Sequence, residues 1–287
     1  MALYVVAGAT GHVGSQVAAE LLAQKEKVRV IVRDAKKAEE WKRRGAEVAA
    51  GSLSDAAFVA SALKDAAGFF VLLPPNYAAT GDYYAVQRKV ADAIAEGVKQ
   101  GKAPHVVLLS SVGADLAEKN GPIKNLNYLE VKLRETGTKL TAIRAGYFQE
   151  NAGNVIGAAR AQGIFPAFGP ADYAFPMVAT KDIGALAARA LRNPPARSEV
   201  IDLHGPAYSP RQLAAKIGKA IGKTLNVVEI PPPGHVAAYQ QAGMSKQLAE
   251  AFAEMQAGFA SGAIQPRGDR SEKGATTFDE VLPSLLG

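Results

Sequence analysis

Apolar and polar positions fall into blocks that predict alternating strands and helices joined by short connections. Six apolar runs, at 3–7, 28–32, 46–50, 68–73, 105–110 and 139–144, read as strands. They are continuous rather than alternating, the pattern of a parallel sheet covered on both faces. Helical periodicity covers 12–24, 35–44, 55–64, 81–100, 124–136 and 180–192. Val13, Val17, Leu21 and Leu22 make one apolar stripe, and Val86, Val90, Ile94 and Val98 recur every four residues in another. Right-handed crossovers then give an α/β fold with a doubly wound parallel sheet. After about residue 150 prolines and aromatics thicken, as in Phe165-Pro166, Phe168-Gly169-Pro170 and Phe175-Pro176. Ser209-Pro210 opens a helix as N-cap and first helical position, and Pro231-Pro232-Pro233 leads into another. The pattern divides the chain at 1–150 and 151–287, the second part a smaller, irregular lobe woven into the first.

Where the first strand meets the first helix the chain reads Gly8-Ala9-Thr10-Gly11-His12-Val13-Gly14. Each glycine has a separate reason. Gly8 permits the tight turn, Gly11 lets a phosphate approach bare backbone, and Gly14 lets the helix lie against the strand. Backbone N–H groups at a helix N-terminus favour an anion, so this is a candidate pyrophosphate site of a dinucleotide-binding Rossmann domain. The second strand ends Val32-Arg33-Asp34. A guanidinium there accommodates the 2′-phosphate of NADP, whereas an acid binds the free ribose of NAD. Arg33 points to NADP(H), and Asp34 reads as the N-cap of a helix beginning at Ala35. His12 is expected to line the phosphate.

Composition narrows the classes. With 287 residues and 48% apolar content the chain can bury a large core. It has no cysteine, which excludes disulfides and thiolate chemistry, and no His/Asp/Glu spacing suggests a metal site. The net charge of +6 is scattered, and the densest basic run, Lys36 to Arg44, is interleaved with Glu39 and Glu40. That is a solvated helix face rather than a nucleic-acid patch, and the excess suits an anionic cofactor. No apolar run is long enough to cross a bilayer and the N-terminus lacks a signal-peptide pattern, so a cytoplasmic protein, monomeric or homodimeric, is expected.

The glycine turn, Val32-Arg33-Asp34, Leu108-Leu109-Ser110-Ser111 and Arg144-Ala145-Gly146-Tyr147-Phe148-Gln149-Glu150-Asn151 together resemble the NmrA-like group of atypical short-chain dehydrogenases/reductases. Thr180-Lys181-Asp182-Ile183 and Gly205-Pro206 to Ser209-Pro210 extend the resemblance almost to the end. The chain looks most similar to NADPH-dependent reductases of quinones, triphenylmethane dyes and azo dyes. The group also includes isoflavone-type reductases and NmrA-type regulators that bind nucleotide. Ser52 stands where the family often has an aspartate near the adenine, with Leu53 beside it. Leu72, Leu73 and Pro74 end the fourth strand beside the expected cofactor, as Ser110 and Ser111 do the fifth. Tyr147 and Phe148 should sit beside the nicotinamide.

Tyr128 and Lys132 match the Tyr-x-x-x-Lys pair in which lysine lowers the tyrosine pKa for acid catalysis. Their position argues against that use. The helix after strand five starts at the carboxyl edge and descends, so Lys132 lies roughly 10 Å below its start at 1.5 Å per residue. Lys124 is better placed. Without a strong acid the site favours acceptors whose reduced product is delocalised or neutral, such as quinones or conjugated dyes. Asn76, Tyr77, Tyr83, Phe175, His235 and Tyr239 are candidates for a roof over a small aromatic substrate. Packing is the alternative for each. Two other functions stay open: a nucleotide-binding redox sensor acting on a protein partner, and an extended-type dehydrogenase or epimerase using Tyr128.

Overall fold

The six apolar runs all form strands: β1 (Leu3–Ala7), β2 (Lys27–Val32), β3 (Glu47–Ala50), β4 (Gly68–Leu72), β5 (His105–Ser111) and β6 (Lys139–Ala145). The computed structural model describes residues 1–33, 38–76 and 81–287. The intervening helices are α1 (His12–Ala23), α2 (Ala38–Arg43), α3 (Ala56–Ala62), α4 (Tyr83–Gly101) and α5 (Lys124–Glu135). Asp55 and Asp82 cap α3 and α4, accepting from the backbone N–H of Phe58 and Tyr84. The expected start of the second helix, with Asp34 as its cap, lies outside the described residues.

The remaining chain gives β7 (Tyr147–Phe148), α6 (Ile156–Gln162), β8 (Ile164–Ala167), β9 (Phe175–Val178), α7 (Thr180–Arg192), β10 (Glu199–His204) and β11 (Ala207–Tyr208). It ends with α8 (Pro210–Ile221), β12 (Asn226–Glu229), α9 (His235–Gln241), α10 (Lys246–Ala260), β13 (Arg270–Lys273) and α11 (Phe278–Leu286). Eight strands form one parallel sheet in the order β13-β10-β6-β5-β4-β1-β2-β3. This is the α/β doubly wound arrangement. β1 and β4 are neighbours where the winding reverses, the place at which such sheets open a crevice at their carboxyl edge.

Side chains alternate between the two faces of each strand. Tyr4 and Val6 pack with Val13, Val17, Leu21, Ile183 and Leu186 of α1 and α7. Val5 and Ala7 pack with Val59, Ile94, Val98, Leu129 and Leu133 of α3, α4 and α5. A third cluster (Ile156, Phe165, Met177, Leu213, Ile217, Phe278) lies under the small sheets β11-β9-β7 and β12-β8. Two strands of the main sheet, β10 and β13, come from beyond residue 192. The apolar pattern gives no sign of β13, Arg270-Ser271-Glu272-Lys273, because it is an exposed edge strand. Arg270 pairs with Glu199 and Glu272, and Glu272 with Arg189. Among the described residues no helix is long and apolar enough to cross a membrane.

Candidate active site

The turn after β1 is built as the glycine spacing requires. Gly8 has φ +69°, in the left-handed region, and a Cβ there would lie 2.6 Å from Leu72 Cδ2 at the end of β4. A Cβ on Gly14 would stand 2.3 Å from the Gly8 oxygen and 2.6 Å from the Ala7 oxygen, so only glycine lets α1 approach β1 this closely. Gly11 is different: among the described residues its one non-adjacent neighbour within 4 Å would be the Gly8 oxygen at 3.4 Å. Gly11 is the N-cap of α1, with no side-chain cap and no acidic residue in the first turn. The first N–H groups of α1 therefore remain for an anion, and an extra methyl at Gly11 would fill the cradle. Ala9 and Val13 are buried, whereas Thr10 and His12 are exposed beside the turn. A cleft opens between Thr10, His12 and Ser15 on one side and Trp41 and Arg43 of α2 on the other.

The parallel register aligns the other strand ends in a row. Val32 pairs with Ala50, Ala7 with Ile31, Leu72 with Leu109 and Ser111 with Ala145. From β2 to β6 the row runs four inter-strand steps, ~19 Å at ~4.8 Å each. Arg33 is exposed at one end of this row, and no carboxylate among the described residues pairs with it. Ser52 follows β3, its hydroxyl 2.7 Å from that of Ser54, and Leu53 is buried. Leu72 and Pro74 are half-buried and Leu73 buried; the Pro74 carbonyl accepts from the Gln87 amide at 3.0 Å. Asn76 is exposed, and Tyr77 lies outside the described residues.

Tyr128 and Lys132 lie away from this row. The Tyr128 hydroxyl donates to Asp92 at 2.7 Å, on the outer faces of α4 and α5. Asp92 is nine residues into α4, ~13 Å below its start at 1.5 Å per residue. That hydrogen bond raises the Tyr128 pKa, the opposite of activation, and Lys132 is held by Glu135 at 2.9 Å. Lys124 begins α5 at the carboxyl edge, its ammonium 3.5 Å above the Tyr84 ring.

Ser110 points elsewhere. Its hydroxyl donates to the buried Glu130 at 2.6 Å, and Glu130 takes Arg144 in a bidentate pair at 3.0 and 2.8 Å. Asp202 stands beside Arg144 in register, accepts from the Gly268 N–H, and its pKa is raised by burial. Asp115 bridges Arg144 at 3.7 Å and Arg267 at 2.8 Å. This network fastens the segment after α10 to the sheet edge. Ser111 is half-buried and donates to the Val112 carbonyl at 3.0 Å. A second set does the same work under β7. Glu150 accepts from Thr180 at 2.9 and 2.6 Å, and Asp182 accepts from Thr276 at 3.0 and 2.8 Å. Ser110, Arg144, Glu150, Thr180 and Asp182 stand in motifs that carry the resemblance, whereas Glu130, Asp115, Asp202, Arg267 and Thr276 do not; the pairing of the two groups emerges only when distant strands are aligned.

The helical pair α9–α10 lies over the carboxyl edge. Gln247 accepts from the Tyr83 N–H at 2.7 Å and donates to Asp82 at 3.0 Å, and Glu254 accepts from the Gly121 N–H at 3.1 Å. Tyr83 is itself buried. Tyr239 stacks on Phe168 at 4.3 Å and accepts from Gln256 at 3.1 Å. His235 is buried and donates through Nε2 to the Ile230 carbonyl at 3.0 Å, with its ring against Phe168. Tyr147 projects from the end of β6, edge-on to Phe175 at 5.4 Å, with Phe148 half-buried beside it. The Tyr147 residue is 43% exposed, yet its pKa is pushed up to about 12, mainly by desolvation. Protein stands against part of the Tyr147 ring while the rest of its surface stays open. Among the described residues no cluster could hold a metal ion.

The chain resembles several characterised proteins along nearly its whole length. It is 28% identical over 262 residues to an NAD(P)H azoreductase of Xenophilus azovorans, covering 89% of this chain and 86% of that protein. It is 27% identical over 267 residues to quinone oxidoreductase 2 of Escherichia coli, covering 91% and 90%. In fold it matches the crystal structure of the NADPH complex of the Escherichia coli quinone oxidoreductase QOR2 with a TM-score of 0.79 at 22% identity, covering 99% and 100%. It matches triphenylmethane reductase of Citrobacter sp. complexed with NADP(H) with a TM-score of 0.80 at 18% identity, covering 100% of both chains. The model of the NmrA-like family spans residues 2–282, and the chain belongs to that family.

Proposed function

We propose that this protein is an NAD(P)H-dependent reductase that prefers NADPH and passes hydride to a quinone-like or conjugated, dye-type acceptor. The observation that carries the proposal is the glycine cradle at the β1–β4 junction, open at Gly11 and closed to any Cβ at Gly14. Its relatives act with NAD(P)H or NADPH on azo compounds and quinones, which supports the same class here. A bound nicotinamide cofactor would supply the hydride. Backbone N–H groups from Gly8 to Gly14 would hold its pyrophosphate, and Arg33, exposed and without a carboxylate partner among the described residues, would take the 2′-phosphate. In this reading residues 1–150 bind cofactor, and 151–287 supply most of the roof over the acceptor.

The acceptor class follows from the side chains at the carboxyl edge. Tyr147 and Phe175 offer partly exposed aromatic faces, Phe168 and the buried Tyr239 stack on each other, and the Tyr128–Lys132 pair sits on the outer surface. An isolated ketone would need a strong acid as its alkoxide forms, whereas conjugated acceptors spread or lose charge and are protonated later by water. Stopped-flow mixing of protein and NADPH with quinones, azo dyes and triphenylmethane dyes, followed at the cofactor absorbance band, tests this. Oxidation with at least one conjugated acceptor and none with simple ketones is expected. Tight binding without oxidation across the panel would replace the enzyme reading with that of a nucleotide sensor.

A further inference from the structure

We propose that the Tyr147 hydroxyl is the hydrogen-bond donor to an acceptor oxygen at the carboxyl edge of the sheet, and that it sets a preference for acceptors which become anionic at oxygen on reduction. The inference rests on the reading of the site as a reductase of conjugated acceptors. Its first support is position. Gly146 follows β6 directly and its N–H is held by the Leu203 carbonyl at 2.8 Å, which fixes where the next residue leaves the sheet edge. Tyr147 then pairs in register with Met177 of β9, and its ring stands edge-on to Phe175. Backbone and ring are both held, while 43% of the residue remains accessible.

The second support is the hydroxyl's surroundings. Burial and the neighbouring Tyr239 disfavour its ionisation, so the group keeps its proton throughout the neutral range. The Asn151 side chain works in the other direction. His235 and Tyr239, the other polar aromatics of the roof, already hydrogen-bond to Ile230 and Gln256. A neutral donor held in a fixed place is suited to meet charge as it develops. Hydride addition to a quinone brings two electrons and one hydrogen and leaves the hydroquinone monoanion, whose second proton comes from water. Addition to a triphenylmethane cation brings the same two electrons but leaves a neutral product with no new oxyanion.

Tyr147→Phe removes only the hydroxyl and keeps the ring on Phe175. The NADP-loaded protein is titrated with 4-nitrophenolate, an oxyanion whose absorbance reports hydrogen bonding, and with 4-nitroanisole as the neutral comparison. A charged hydrogen bond of this kind corresponds to roughly a ten- to hundredfold change. The variant is expected to bind the phenolate about tenfold or more weakly, with the anisole unchanged. In turnover it is expected to lose a similar factor in kcat with a quinone and to stay within about twofold with a cationic triphenylmethane dye. Equal losses on both acceptors, or an unchanged phenolate affinity, would overturn the proposal. If the wild-type protein oxidises NADPH with no acceptor, the reductase reading fails instead, and the phenolate titration still decides the role of Tyr147.

Discussion

Gly11 and Gly14, three residues apart in one turn, are expected to fail in different ways when changed to alanine. In Gly14→Ala the new methyl would lie 2.3 Å from the Gly8 oxygen and 2.6 Å from the Ala7 oxygen, both backbone atoms that no rotamer change can move. Restoring an ordinary C···O separation of ~3.3 Å requires α1 to retreat about 1 Å from β1. Valines 13 and 17 and Leu21 of α1 are buried against the sheet, so the retreat disturbs a packed core. Overpacking of this kind costs about 1–3 kcal/mol. In Gly11→Ala the methyl meets, among the described residues, one non-adjacent atom at 3.4 Å, so the fold should lose at most about 1 kcal/mol from the poorer cap. The same methyl would occupy the space that the phosphate needs, and losing one charged hydrogen bond weakens NADPH roughly ten- to hundredfold. Urea unfolding of the cofactor-free variants and NADPH titration of the folded ones measure the two effects separately. The reasoning is refuted if Gly14→Ala is as stable as the wild type, or if Gly11→Ala binds NADPH with unchanged affinity.

Other expectations follow from the same structure. Tyr128→Phe removes a surface hydrogen bond to Asp92 and should retain full reductase activity; a loss of tenfold or more would return that tyrosine to the chemistry. Glu130→Ala leaves the buried Arg144 without its bidentate partner and frees Ser110, so unfolding free energy should fall by about 3–5 kcal/mol, and a loss below about 1 kcal/mol would contradict the network's structural role. His105 is buried against Thr141, and its pKa is lowered to about 4 by desolvation first and Lys139 second. The unfolded chain takes up this proton below about pH 6.5 while the folded chain resists, so stability falls between pH 6.5 and 4, by up to about 3 kcal/mol at the lower end. His105→Gln should flatten that part of the stability–pH curve relative to wild type; superimposable slopes would show that His105 contributes nothing to it.

The sheet and the glycine turn were legible in the sequence because each depends on local pattern. Apolar runs are what doubly covered strands require, and the spacing of Gly8, Gly11 and Gly14 encodes a backbone shape. β13 was not legible, because an edge strand buries little and its Arg and Glu side chains read as a loop. The Ser110–Glu130–Arg144–Asp202 network was not legible either. Its members come from β5, α5, β6 and β10, and only the strand register brings them together. Ser110 looked like a group facing the cofactor because it ends a strand, yet a neighbouring buried carboxylate holds its hydroxyl. Counting helix rise alone places Tyr128 and Lys132 below the strand ends, an argument that needs no contact information, and the Tyr128 hydroxyl meets Asp92 on the helix surface.

The central claim is that a phosphorylated dinucleotide lies along the carboxyl edge, with its 2′-phosphate at Arg33. Trp41, the chain's single tryptophan, borders the cleft beside the glycine turn and provides a fluorescence donor for the reduced nicotinamide cofactor. Titrating wild type and Arg33→Ala with NADPH and with NADH measures the claim directly. NADPH should bind the wild type roughly ten- to hundredfold more tightly than NADH, and Arg33→Ala should erase that gap by weakening NADPH alone. Equal affinity for the two cofactors in the wild type, or equal weakening of both in the variant, would contradict it.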